Sequence, residues 1–313
     1  MFSENNLKNS DLLIENNLLN ENNFNILFNK FPVIDNHILL TTKDYKKHQT
    51  HISINEIRNM LIINSLFSSI CVFNGGYNSG ASQPRKHFQF VPLDNLFNCS
   101  KNKTFGIFKI VDNYKFNRFN IKCNININDT YDIIEETEYL TILKLNELKS
   151  SIEKPISDHI LCIFNKNITT FNCINDLSSS LFIYYVYIKL LCLLGLIDKS
   201  INIDYKDIQS FYDPIRLNSI NVDNLNSIYY PFKNFDDENY LIQDNKSYSF
   251  LLTENFMFLS KRKKHKLDLS FDKQNISLNL NSFSYMFSFL VKDKKEFDII
   301  CNENIIDKIF TEL

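Results

Sequence analysis

Residues 74–89, Asn-Gly-Gly-Tyr-Asn-Ser-Gly-Ala-Ser-Gln-Pro-Arg-Lys-His-Phe-Gln, hold three of the chain's five glycines and its only alanine. Such a cluster marks a place where the backbone turns sharply or approaches something closely, because glycine tolerates positive φ and leaves main-chain N–H groups uncovered. Its flanks set the local architecture. Residues 70–73 read as a strand end, and residues 87–93 alternate as a half-buried strand does. Side chains two apart on a strand share a face, so Arg85, His87 and Gln89 project together while Phe88 and Phe90 point the other way. A Gly/Ser/Asn loop running into a strand with that polar face points to a phosphate site, and a histidine beside phosphate points to phosphorus chemistry.

The other segments place this unit. Residues 24–31 and 36–42 read as two short strands broken at 32–35, and Ser53-Ile54-Asn55-Glu56 is a capping box opening a helix. From about 98 to 242 the chain mixes Asn-rich loops, a strand at 159–164 and an apolar helix at 181–197 that reads as buried, since Lys189 and its tyrosines interrupt a membrane-like run. Residues 248–253 and 256–261 form a hairpin around Glu254-Asn255, and 282–291 is another apolar stretch before a charged terminal helix. The reading is one domain, 1–313, of α+β class. Residues 20–100 carry the motif region, 100–240 a divergent middle and 245–313 a C-terminal segment. Both ends of the chain are expected to complete a largely antiparallel sheet with flanking helices.

Composition narrows the function. A 44% hydrophobic chain with 28 phenylalanines can bury a core, and a net charge of -2 argues against a general nucleic-acid binder. Seven cysteines without a CxxC pair indicate reduced thiols rather than a zinc knuckle or disulfide scaffold. No secretory signal is apparent at Met1, so a cytoplasmic, monomeric protein with a small-molecule partner and no membrane contact is expected.

If His87 is a nucleophile, one ring nitrogen must face phosphorus while the other is held by an acceptor, and N–H groups must balance the phosphoryl charge. Loop residues Ser79, Gly80, Ala81, Ser82 and Gln83 are the candidates for those donors. Arg85 or Lys86 can neutralise phosphate, Arg by a bidentate fork, and Gln89 can orient the phosphoryl group but cannot act as an acid. Asn74 is placed to hydrogen-bond ribose or phosphate. A lone histidine is more often a strand residue with a satisfied hydrogen bond; the loop together with His-x-Gln favours chemistry. The basic run 261–266 can face polyphosphate or solvent.

Asn-x-Gly-x-x-Ser-Gly-Ala-Ser-Gln-Pro-x-Lys-His-x-Gln closely resembles the active-site motif of the diadenosine tetraphosphate phosphorylases, or ATP adenylyltransferases, of the histidine triad superfamily. Residues 29–33 with 37–43 resemble the family's N-terminal hairpin, and residues 248–261 with 283–291 its C-terminal segment. The resemblance implies a histidine-triad-like fold in which His87 attacks the α-phosphate of diadenosine tetraphosphate and expels ATP, after which inorganic phosphate takes the AMP group as ADP. It implies that Gln89, where hydrolases carry a third histidine, favours transfer to phosphate over water. It also implies substrate contacts for Lys30 and Thr253, with His37 near the base or supporting the hairpin and Lys292 more remote. No tightly bound cofactor is implied; Mg2+ or another divalent cation would accompany the substrate, and no acidic cluster announces a protein metal site. Arg85 replaces the family's first histidine. Alternatives are a hexose-1-phosphate uridylyltransferase, a nucleotide-sugar phosphorylase, or an inactive dinucleotide-binding sensor.

Overall fold

In the computed structural model, which describes residues 13–14, 23–32, 34–99, 106–119, 131–136, 140–145, 159–165, 177–197, 246–271, 274–282 and 294, ten strands join one sheet. They are β1 (Leu13–Ile14), β2 (Phe24–Phe28), β3 (Ile38–Thr42), β4 (Ser69–Gly75), β5 (His87–Pro92), β6 (Tyr131–Glu136), β7 (Leu140–Leu145), β8 (His159–Phe164), β9 (Ser247–Leu252) and β10 (Phe256–Arg262). Their order is β1-β2-β3-β5-β4-β9-β10-β8-β7-β6, with antiparallel neighbours throughout. A separate hairpin joins β11 (Lys266–Phe271) to β12 (Gln274–Asn279). The described helices are α1 (Ile54–Phe67), α2 (Leu93–Cys99), α3 (Gly106–Phe119) and α4 (Leu177–Leu193). The class is α+β, an antiparallel sheet with flanking helices.

Strand alternation divides the core in two. Phe73, Phe88, Phe90, Tyr248 and Phe250 face α1 and α4 on one side of the sheet. Val72, Val91, Leu251, Phe256 and Phe258 face α2, α3 and the β11–β12 hairpin on the other. α4 is buried along Leu181 to Ile188, which explains an apolar run with no polar face. No described helix is long and apolar enough to cross a membrane. The capping box of α1 forms both bonds: Glu56 N donates to Ser53 Oγ at 3.3 Å and Ser53 N donates to Glu56 Oε2 at 2.8 Å.

One expectation is corrected. The N-terminal strands do form one edge of the sheet, but β9 and β10 lie in its middle and β8, β7 and β6 form the other side. The segment from 100 to 240 therefore supplies three strands where the sequence indicates one. β6 hides because it is an edge strand without a clean alternation: Ile133 and Ile134 are both exposed, and the register shifts between Ile133 and Glu135. The apolar stretch 283–291, the terminal helix and Lys292 lie outside the described residues.

Candidate active site

β5 sits between β3 and β4, with Thr41 opposite His87 and both Leu39 and Val72 opposite Gln89. Phe88 and Phe90 face the α1–α4 core, so His87 and Gln89 occupy the other face, both half-buried. His87 Nδ1 lies 2.9 Å from the Arg85 carbonyl oxygen. A carbonyl can only accept, so Nδ1 carries the proton and Nε2 is left with its lone pair, the tautomer that a nitrogen nucleophile needs. Burial lowers the pKa of His87, with the Arg85 hydrogen bond opposing and the charge of His48 adding to it. The ring is therefore held neutral.

Gln89 is oriented from behind. His37, buried one residue before β3, shares a side-chain hydrogen bond with Gln89 and lies 3.2 Å through Nδ1 from Asn29 Nδ2. Burial pushes the pKa of His37 down to about 4, the Gln89 bond opposing and the His87 charge reinforcing. Unfolded chain takes up this proton as pH falls through 6.5 while folded chain resists it. The stabilisation is therefore complete above 6.5 and is lost as pH falls towards about 4. Urea unfolding at pH 6.5 and 4.5 should show a His37-dependent loss on the order of 2 kcal/mol. His37→Gln should flatten that slope, and an unchanged slope would assign it to other groups.

The glycine loop is built differently from the expectation. A Cβ at Gly75 would lie 2.2 Å from the Tyr248 ring, one at Gly76 2.4 Å from Ser247 Oγ, and one at Gly80 2.6 Å from the Leu280 carbonyl oxygen. The glycines thus make room for β9 and for the segment that follows β12. Gly76 and Gly80 also hold φ of 98° and 84°, on either side of a 3-10 turn at Tyr77–Ser79. Ser79 is fully buried and its hydroxyl donates to the Gly76 carbonyl at 2.5 Å. The N–H groups of Asn78, Ser79 and Gly80 bond to Ser247 Oγ, Gly76 O and Tyr77 O. Ala81 and Gln83 are half-buried and Ser82 is exposed. Gly80→Ala combines forbidden φ with a backbone clash and should cost at least about 2 kcal/mol in urea unfolding; a loss under about 0.5 kcal/mol would show that the loop can move aside.

Asn74 serves the same closure: its Oδ1 accepts from Ser282 N at 2.8 Å and from Ser282 Oγ at 2.6 Å. Arg85 turns into the backbone, where Nη2 donates to Thr42 O at 2.5 Å and Lys43 O at 2.6 Å. Lys86 is corrected outright as a phosphate ligand. It points to the opposite side of the sheet, 1% exposed, with Nζ 2.6 Å from Glu56 Oε2 and 2.5 Å from His51 O, against the rings of Phe73 and Phe88.

Residues 8–108 match the family model described as Ap4A phosphorylase N-terminal domain, and residues 185–313 match the ATP adenylyltransferase C-terminal domain, Ap4A being diadenosine tetraphosphate. The two take up well over half of the chain. It belongs to the Ap4A phosphorylase family of nucleotidyltransferases. Among solved structures, yeast Ap4A phosphorylase Apa2 is similar at 18% identity and a TM-score of 0.52, covering 96% of this chain and 75% of that one. Its complex with Ap4A matches at 16% identity, TM-score 0.52, with 96% and 76% covered; its complex with AMP matches at 18% identity, TM-score 0.50, with 96% and 77% covered. A comparison with curated proteins gave no match. The two matched regions share one sheet here, since β4 of the first pairs with β9 of the second.

The remaining family-implied positions are scattered. Lys30 lies just past β2, exposed, with Nζ 5.7 Å from the centroid of the Phe31 ring. Thr253 is buried in the β9–β10 turn, where Oγ1 accepts from Asn255 N and Phe256 N at 3.1 Å each. Its neighbour Leu252 pairs with Cys71, which pairs with Phe90, so Thr253 stands on the order of 10 Å or more along the strands from His87. Within the basic run, Arg262 is buried and donates to Ser249 Oγ, Lys264 O and Leu280 O. His265 meets the exposed Tyr77 edge-on at 4.5 Å between centroids. Sequence reasoning passed over Asn29, His48, Glu56 as Lys86's partner, and Ser282. Only the third had a signal: alternation puts Lys86 with Phe88, on an apolar face where a lysine needs an acid.

Proposed function

We propose that the chain catalyses phosphorolysis of diadenosine tetraphosphate to ADP and ATP through an adenylyl-His87 intermediate. The supporting observation is the His87 ring, with Nδ1 bonded to the Arg85 carbonyl and its pKa lowered by burial, so that Nε2 presents a lone pair at neutral pH. In the first step Nε2 bonds to the α-phosphorus, the bond from that phosphorus to the bridging oxygen breaks, and ATP leaves with the electron pair. In the second, an oxygen of inorganic phosphate bonds to the same phosphorus, the P–N bond breaks, and ADP leaves a neutral histidine. Donors for the phosphoryl oxygens come from residues 81–83 in this reading, with Gln89 held by His37. The histidine-triad-like arrangement belongs to the same reading, as do a monomeric state and a cytoplasmic location, which the free thiols Cys71, Cys162 and Cys192 favour. In this reading Mg2+ arrives on the polyphosphate, with water completing its shell.

The test is incubation with Ap4A, with and without inorganic phosphate, followed by ion-exchange separation of nucleotides. ADP plus ATP in a phosphate-dependent reaction supports the proposal; AMP plus ATP would make the chain a hydrolase, and binding without turnover a sensor. Gln89→His should raise the AMP share of product about threefold, a shift in partition of roughly 0.7 kcal/mol. A fixed ADP to AMP ratio would remove Gln89 from acceptor choice.

A further inference from the structure

Asn74 and His87 meet across β4 and β5. The register of that pair sets Val72 opposite Gln89, and carried two residues further it sets Asn74 opposite His87. The rings of Phe73 and Phe88 pack at 4.8 Å between centroids, so the pairing persists up to that step. Both rings point into the α1–α4 core. Asn74 and His87 therefore share the other face, with Cβ atoms on the order of 5 Å apart.

The Asn74 amide is locked from one side. Ser282, fully buried, donates to its Oδ1 from N at 2.8 Å and from Oγ at 2.6 Å. A backbone N–H can only donate, so the atom facing Ser282 is the amide oxygen and Nδ2 points away from it. Among the described residues Nδ2 bonds to nothing, and solvent reaches it. Ser282 is held in turn. Its Oγ also lies 2.9 Å from Phe73 O, and two residues earlier Leu280 donates from N to His265 O at 2.8 Å and accepts from Arg262 Nη2 at 3.0 Å. The segment presses on the motif loop, where a Cβ at Gly80 would lie 3.1 Å from Asn281 Cα.

We propose that Ser282 is a positioning residue of the transfer site: by occupying Asn74 Oδ1 it keeps Nδ2 turned towards a non-bridging oxygen of the phosphoryl group carried to and from His87. This rests on the adenylyl-transfer reading of the same site. A phosphoryl oxygen accepts from an amide N–H and is repelled by an amide oxygen, so the direction of the Asn74 amide decides whether it helps or hinders. Asn74 lies in the N-terminal matched region and Ser282 in the C-terminal one. Neither region completes the site alone.

The experiment is a double-variant cycle on the full chain, read in Ap4A turnover and, by calorimetry, in affinity for AMP and for adenosine. Ser282→Ala and Asn74→Ala should each lower kcat about tenfold and AMP affinity about fivefold, with adenosine affinity unchanged. Because Ser282 acts through Asn74, the double variant should be no worse than Asn74→Ala. Losses that multiply, or full activity in Ser282→Ala, overturn the proposal and leave the phosphorylase reading standing. If the unmodified chain does not turn over Ap4A yet the AMP affinities show the expected coupling, the phosphorylase reading fails and Ser282 keeps its role; uncoupled AMP affinities there sink both. Should Ser282→Ala lower Tm too far to assay, Asn74→Asp serves, since it keeps an acceptor for Ser282 and puts an anionic oxygen where Nδ2 was. It should keep Tm and lose AMP affinity at least about tenfold; parent-like AMP affinity overturns the proposal.

Discussion

His87→Ala should slow phosphorolysis of Ap4A at least about a thousandfold, roughly 4 kcal/mol of barrier, because the covalent route through its ring is removed. The loss should appear in kcat rather than in substrate affinity, since the ring contributes a bond that exists only along the reaction coordinate. Mixing enzyme with Ap4A in the absence of phosphate should release one ATP per active chain from the parent and none from the variant. The pH profile should carry the same signature: with its pKa depressed, His87 stays unprotonated somewhat below 6.5, so the acidic limb should lie under the ordinary histidine value. A variant that keeps a tenth of the activity would exclude His87 as the nucleophile.

Glu56→Gln should be the most damaging substitution to stability away from the reacting groups, costing about 3–5 kcal/mol. The carboxylate lies 2.6 Å from Lys86 Nζ with both side chains essentially inaccessible, and the same oxygen accepts from Ser53 N at the start of α1. Gln keeps the volume and an acceptor, so the loss isolates the charge: the ammonium stays buried against the Phe73 and Phe88 rings and bonded to the His51 carbonyl, but without its carboxylate. The double variant Glu56→Gln with Lys86→Met should recover most of the loss, as replacing a whole buried pair does. Urea midpoints of the two singles and the double form a cycle; strictly additive effects would show that the pair is not coupled. Because Lys86 precedes His87, activity should fall with stability in the single and return in the double.

The motif strand, its partners and the two hairpins follow from local alternation and turn residues, and the structure has them within a few residues of their expected places. The Ser53–Glu56 box is equally local. What the sequence conceals is use rather than location. Gly75, Gly76 and Gly80 suit a phosphate loop, yet the space they leave is filled by Tyr248, Ser247 and Leu280, residues that only the sheet order brings near. Arg85 has the right parity to face His87, but its guanidinium finds two carbonyls, that of Thr42 at the end of β3 and that of Lys43 just after it, a bend with no sequence marker. His48 is one histidine in a lysine-rich loop until the backbone pairs it with Pro84. β6 escapes notice because an edge strand relaxes the alternation by which strands are found, and β7, an inner strand buried on both faces, shows none.

The packing around the three glycines also sets an order of events. A growing chain that has delivered residues 74–89 holds the entire recognisable motif but none of the residues that fill the space beside its glycines. Strand pairing over such separations is the slow, late part of folding. A fragment ending before β9 should be inert however well its own hairpins form, and a lesion near Leu280 should look to a kineticist like a lesion in the catalytic loop. The ribosome has 208 more positions to traverse after Asn74 before Ser282 can reach it.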